Sequence, residues 1–202
     1  MRKLNTKASL TLAFGVLAAI ASFSAASSQT AKTVNQASFT DDGEAVLPTG
    51  YRQWVFVGSP LTPNAMNEGE APFPEYHNVY VEPSAFEHWN ETGTWAEGTQ
   101  LVKELVLIRL NDNDENGATA EVSGIGYQQG EFAGLELTVK DSERYSDMAG
   151  GWAYFSFGHQ PEPYAETAAA FPEDSCNSCH EANADDDFVF TQFYPVLRAA
   201  KP

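Results

Sequence analysis

Two cysteines and a histidine stand within five residues near the end of the chain, Cys176-Asn177-Ser178-Cys179-His180, and they are the only cysteines among 202 residues. Thiols three positions apart fall on one turn of a helix. From there both can reach the two vinyl groups of one porphyrin, and the imidazole that follows lies under the iron. The pattern reads as covalent attachment of haem c through Cys176 and Cys179, with His180 as the proximal iron ligand. Three other chemistries use similar residues. A thioredoxin-like redox pair has no use for the following histidine. A zinc site needs a fourth ligand, for which His77, His88 and His159 are candidates. A structural disulfide would need the two thiols alone. The adjoining His180, together with an export signal described below, favours haem.

The sixth iron position decides what such a haem does. Electron carriers often fill it with a methionine downstream of the motif. Only 22 residues follow His180, and none is Met; Met66 and Met148 both precede the motif in turn-like sequence. A distal histidine could come from His77, His88 or His159. The expectation is an open or water-bound position, able to take small ligands such as hydroxylamine, NO, CO or peroxide.

The N-terminus carries the export signal. Arg2, Lys3 and Lys7 precede an apolar run from Leu10 to Ala21 and a small-residue stretch to Ser28. This predicts a signal peptide over residues 1–26 and a periplasmic protein. The apolar run is too short to span ~30 Å of hydrocarbon at ~1.5 Å per residue. Cleavage removes those three basic residues and no acid, moving the formal charge from −17 to −20. So acidic a chain disfavours nucleic acid and anionic membrane surfaces as partners and suits a basic one, such as a lysine-rich soluble cytochrome c as electron acceptor.

The rest must position the motif. With 13 Phe, 8 Tyr and 4 Trp, the chain has core enough to fold without disulfides. Residues 27–43 read as a disordered lead-in and 44–202 as a single domain. Strand-like runs occupy 51–58, 78–81, 100–110, 118–127, 132–139 and 152–157, with a tight acidic turn, NDNDENG, from Asn111 to Gly117. Helical signals cover Pro83 to Thr92, with Ser84 as possible cap, the turn from Asp141 to Met148, Tyr164 to Ala170, and the region from Cys176 onward. The class is α+β, mainly an antiparallel sheet of about five strands with a few short helices. The apolar stretch from Val189 to Leu197, interrupted by Pro195, should pack as core or against a second subunit.

The segments Tyr51 to Gly58 (YRQWVFVG), Asn78 to Pro83 (NVYVEP), Gly98 to Leu105 (GTQLVKEL) and Val189 to Leu197 (VFTQFYPVL), with the haem motif between the third and fourth, together resemble the cytochrome P-460 family. The resemblance covers the whole expected domain. It implies a periplasmic homodimer of mainly antiparallel β subunits, each with one haem c. It also implies oxidation of hydroxylamine to nitrite or, with NO, to nitrous oxide. The related cytochromes c′-beta share the fold but bind NO or CO without turnover, and a plain electron carrier is the third possibility.

The enzymes of that family carry a third covalent link, from a lysine amine to a meso carbon of the porphyrin, and Lys103 is the matching position. Alternation along the strand puts it on one face with Leu101, Leu105 and Leu107. Burial there disfavours the ammonium and leaves the amine free to attack carbon. The competing reading is a snorkelling lysine, or a partner of Glu104. On the distal side, where some relatives have an arginine, this chain has His77, which can shuttle a proton or be a neutral substitute. A distal carboxylate is expected shortly before the motif. Glu166, Glu173 and Asp174, with Asp141 further back, are the acids available; Glu173 and Asp141 are carried forward with His77 as distal candidates.

Overall fold

The run Gln100–Ile108, QLVKELVLI, is apolar on both sides of the strand it forms, and most of it is buried. A strand of that composition belongs in the middle of a sheet covered on both faces. The structure, a computed structural model, describes residues 33–110 and 118–202. The expected signal peptide and the NDNDENG turn lie outside the described residues. In chain order the elements are β1 (Ala45–Val46), β2 (Val55–Gly58), β3 (Tyr76–Val81), α1 (Pro83–Thr92), β4 (Gln100–Ile108), β5 (Ala118–Glu121), β6 (Gly124–Tyr127), β7 (Gln129–Lys140), β8 (Trp152–Ser156), β9 (Thr167–Ala168), α2 (Glu173–Asn183) and α3 (Pro195–Ala200). The main sheet has the order β2-β3-β4-β7-β8, antiparallel throughout. The fold is α+β, with antiparallel sheets and short helices, as the periodicities predict.

Its two faces bury different clusters. Val79, Val81, Leu101, Trp152 and Tyr154 pack with Ala85 and Trp89 of α1, Leu197 of α3 and the half-buried Cys176 of α2. On the opposite face, Val102, Leu135, Leu137, Ala153 and Phe155 pack with Tyr51, Tyr145, Tyr164, Ala45 and Ala168. The three helices therefore share one face. There Trp89 stacks on Trp95 at 4.4 Å, and its indole N–H donates to the Leu197 carbonyl at 2.9 Å, tying α1 to α3. Val189 and Leu197 are buried in the same cluster, so part of the apolar C-terminal stretch packs as core.

Several local expectations need correction. The cap of α1 is Glu82, whose carboxylate accepts from the Ser84 and Ala85 N–H groups at 2.8 and 3.0 Å. Ser84 donates its hydroxyl to that same carboxylate; Pro83 at the first helical position pushes the capping role one residue before it. Tyr164 to Ala170 is not helical. Thr167 and Ala168 pair with Val46 and Ala45 instead, a case of tertiary pairing overriding local preference. The run 118–127 is a hairpin, β5 with β6, in a sheet of its own, broken where Gly124 takes φ +120°. Residues 33–43 are not a free lead-in. Val34 is buried, Asn35 donates to Glu82 at 2.7 Å and accepts from Gln100 at 2.8 Å, and Phe39 packs on Tyr145 and Phe155.

Candidate functional site

The helix α2 presents the motif. Asn177, between the cysteines, is buried and donates its amide to the carbonyls of Trp152 at 2.8 Å and Ala149 at 3.3 Å, seating the helix against the end of β8. Ser178 points away from that contact and is exposed. Cys176 is half-buried and Cys179 exposed, and both thiols are free. Burial pushes the Cys176 thiol above its ordinary pKa. One residue fewer between them would put the thiols on nearly opposite sides of the helix.

His180 is oriented by three contacts. Its ring lies between Tyr154 and Phe190, each at 4.5 Å. Its Nδ1 is 2.7 Å from the Phe188 carbonyl. A carbonyl can only accept, so Nδ1 carries the proton and Nε2 keeps its lone pair for a metal, the arrangement that ligating histidines use. Burial lowers the His180 pKa, against the bond to Phe188, which raises it.

Strand register brings the second half of the site to the same sheet face. Lys103 on β4 stands opposite Val79 on β3 and Glu136 on β7, and His77 lies two residues from Val79 on the same side. Lys103 Nζ is 2.5 Å from Glu136 Oε2 and 5.2 Å from the centre of the Phe73 ring. The side chain is 27% exposed. Lys103 is therefore partly buried on the face that alternation predicts, and it is not a partner of Glu104, which faces the other way. Irregular pairing beyond Leu105 breaks the alternation, and Leu107 is exposed.

His77 packs edge-on to Phe73 at 5.9 Å, and its Nε2 is buried with no hydrogen-bond partner among the described residues. Burial first, then the Lys103 charge, lowers its pKa from 6.5 to about 4. The Lys103 and Glu136 charges are felt at Cys176 and His180 as well, so these five side chains share one electrostatic neighbourhood. Beside them Tyr154 keeps a buried hydroxyl without a partner among the described residues. At the edge Glu75, also buried, meets the exposed His159 at 2.8 Å.

The lowered His77 pKa has a measurable consequence. As pH falls from 6.5 towards about 4, the unfolded chain takes up a proton that folded His77 refuses, so folding stability falls through that window. At ~1.4 kcal/mol per pH unit, and with allowance for its partial exposure, the loss is roughly 2–3 kcal/mol. His77→Gln should flatten the curve of stability against pH, read from urea midpoints near neutrality and near pH 4. A parallel slope in the two proteins would refute the assignment.

The other sequence candidates are not brought to this group. Glu173 opens α2, exposed, where a carboxylate favours the helix N-terminus. Asp141 lies beyond the end of β7, accepting from the Arg144 N–H at 2.9 Å and pairing with its side chain. It lies five positions along the chain from Glu136, about 17 Å at the usual rise. His88 is half-buried on α1, and Met148 packs in the cluster on the opposite sheet face. No group of three or more His, Cys, Asp or Glu among the described residues could hold a metal ion. Glu136 went unrecognised in the sequence because only the register of β4 against β7 singles it out.

A Cys-x-x-Cys-His helix on one face of an antiparallel sheet, its histidine fixed with Nε2 free, defines a haem-binding cytochrome domain. The family model for cytochrome P460 matches residues 48–191, and the chain belongs to that family. No curated protein matches it. Membership implies a haem, and the donor set fits one: two free thiols on one helical turn, a histidine with its metal-binding nitrogen available, and orphaned polar atoms on His77 and Tyr154 on the facing side.

Proposed function

We propose that this protein is an exported c-type haem enzyme that oxidises hydroxylamine, to nitrite or, with NO, to nitrous oxide. Cys176 and Cys179 would hold the porphyrin through thioethers, His180 Nε2 would hold the iron, and the Lys103 amine would bond to a meso carbon, a step that needs an external oxidant for the two electrons it releases. The observation that carries this reading is Lys103, on the sheet face against which the Cys176 and His180 helix packs, with a carboxylate in contact with its ammonium.

When bound, the haem iron supplies an open coordination position and accepts the electrons of the substrate. The chain's own groups handle the protons. Glu136 Oε2, 2.5 Å from Lys103 Nζ, is the acceptor placed for a proton that the amine would give up on bonding to carbon. Once Lys103 is linked, Glu136 is a carboxylate on the same face, placed to receive protons from bound hydroxylamine. His77 stays neutral at working pH, and its unpaired Nε2 can accept from a substrate N–H or O–H. Phe188 keeps the His180 proton on Nδ1 throughout. The acidic charge of −17 suits electron transfer to a basic soluble cytochrome c in the periplasm, and the subunit pairs as a homodimer.

One observation favours a second reading. An ammonium held 2.5 Å from Glu136 can remain an ion pair, and an unlinked haem would make the protein a binder of NO or CO of the c′-beta type. The deciding experiment is the denatured mass of the holoprotein with peptide mapping, run beside hydroxylamine-dependent reduction of a soluble cytochrome c. Porphyrin on the Lys103 peptide with turnover supports the enzyme. Porphyrin on Cys176 and Cys179 alone, with no turnover, overturns it.

A further inference from the structure

The carbonyl that orients His180 is held in place by an unusual turn. Asp186 and Val189 close it, with backbone bonds in both directions, Val189 to Asp186 at 3.0 Å and Asp186 to Val189 at 3.4 Å. Its two central residues, Asp187 and Phe188, have φ of +46° and +66°. A turn with two left-handed residues ordinarily uses Asn-Gly or Asp-Gly, because a side chain such as that of Phe crowds its own backbone there. Phe188 persists in this conformation because its surroundings hold it.

Those surroundings are specific. The Asp187 carboxylate receives the Lys140 ammonium on one oxygen and the Trp152 indole N–H on the other, at 3.3 Å. Asp186 takes the Thr191 hydroxyl and the Lys201 ammonium, the latter at 2.5 Å. The Phe188 ring lies against Gly150, where an added Cβ would come within 2.4 Å of it. What the strained turn delivers is the Phe188 carbonyl at 2.7 Å from His180 Nδ1.

We infer that Asp187 is a positioning residue for the proximal ligand: through Lys140 and Trp152 it holds the turn that keeps the Phe188 carbonyl on His180, and so sets how strongly His180 donates to the iron. A firm bond at Nδ1–H gives the imidazole more anionic character, which favours the oxidised metal. The inference rests on the reading of His180 as haem ligand. It goes beyond that reading by assigning the control of this ligand to a side chain that touches neither haem nor histidine.

The test compares Asp187→Ala, Asp187→Asn and Lys140→Met in the holoprotein, by reduction midpoint and by the iron–histidine stretching band of the ferrous form. Asp187→Ala and Lys140→Met should move the midpoint to more positive values and lower the stretching frequency. Asp187→Asn should shift both by clearly less than Asp187→Ala, since its one amide oxygen can still accept from Lys140 or from Trp152 and asparagine tolerates positive φ. Equal shifts in Asp187→Asn and Asp187→Ala would reduce the effect to lost charge and overturn the inference. So would an unmoved band in both Asp187→Ala and Lys140→Met. Absence of an iron–histidine band from a five-coordinate ferrous form of the unmutated protein would instead overturn the parent reading of His180.

Discussion

Lys103→Met is expected to fold, to keep haem on Cys176 and Cys179, and to lose hydroxylamine oxidation by about a hundredfold or more, the scale on which loss of a single catalytic group is felt. The folding half of the expectation follows from position. Lys103 is 27% exposed in the middle of β4, so methionine replaces the buried stem with one of similar length. Its lost partner, Glu136, is 33% exposed and can be hydrated, and an ion pair so placed contributes no more than ~1 kcal/mol. Activity would then fall without unfolding. Lys103→Arg separates charge from nucleophile. It keeps a cation beside Glu136, but a guanidinium does not give up its proton and cannot bond to carbon. If the cross-link makes the enzyme, Arg is as inactive as Met, and peptide mass shows both without porphyrin at position 103. Full turnover in Lys103→Arg would mean that position 103 acts only as a positive charge.

The legible parts of this molecule are those that depend on one strand or one helix at a time. Alternation in β4 predicts that Lys103 shares a face with Leu101 and Leu105, and the register agrees. The spacing of Cys176, Cys179 and His180 needs one helical turn, and α2 spans all three. What stayed hidden depends on pairs of elements. Glu136 is one acid among 28 Asp and Glu until β7 is laid beside β4. The partner of His180 is a main-chain carbonyl, which any residue at position 188 would carry. Locally, the sequence from Tyr164 to Ala170 suits a helix, and only its pairing with Ala45–Val46 makes it extended. Before Pro83 a carboxylate caps as well as a hydroxyl would, which is why Ser84 looked like the cap.

The same strand carries, one residue on from Lys103, a group whose loss should be felt in stability. Glu104 points to the opposite face, 1% exposed. One oxygen accepts from Tyr51 at 2.6 Å and from Arg52 at 2.6 and 2.9 Å, while the other is buried with no partner among the described residues. Arg52 itself is 42% exposed, pairs also with Glu162 and lies over the Phe132 ring. The pair is therefore asymmetric. Arg52→Met strands a carboxylate in the core with only a tyrosine hydroxyl for company, a change that costs about 3–5 kcal/mol. Glu104→Gln removes the buried charge and leaves an arginine free to turn to Glu162 and water, costing about 1–2 kcal/mol. Urea unfolding should thus rank Arg52→Met well below Glu104→Gln, and Arg52→Met combined with Glu104→Gln should regain much of the loss. An additive double variant would show that the two do not act as a pair. The ranking bears on the haem site through register. A strand slipped by one residue turns every side chain to the other face. Glu104, fastened to Tyr51 and Arg52 on one side, adds to the ladders with β3 and β7 that keep Lys103 turned towards Glu136, Cys176 and His180 on the other.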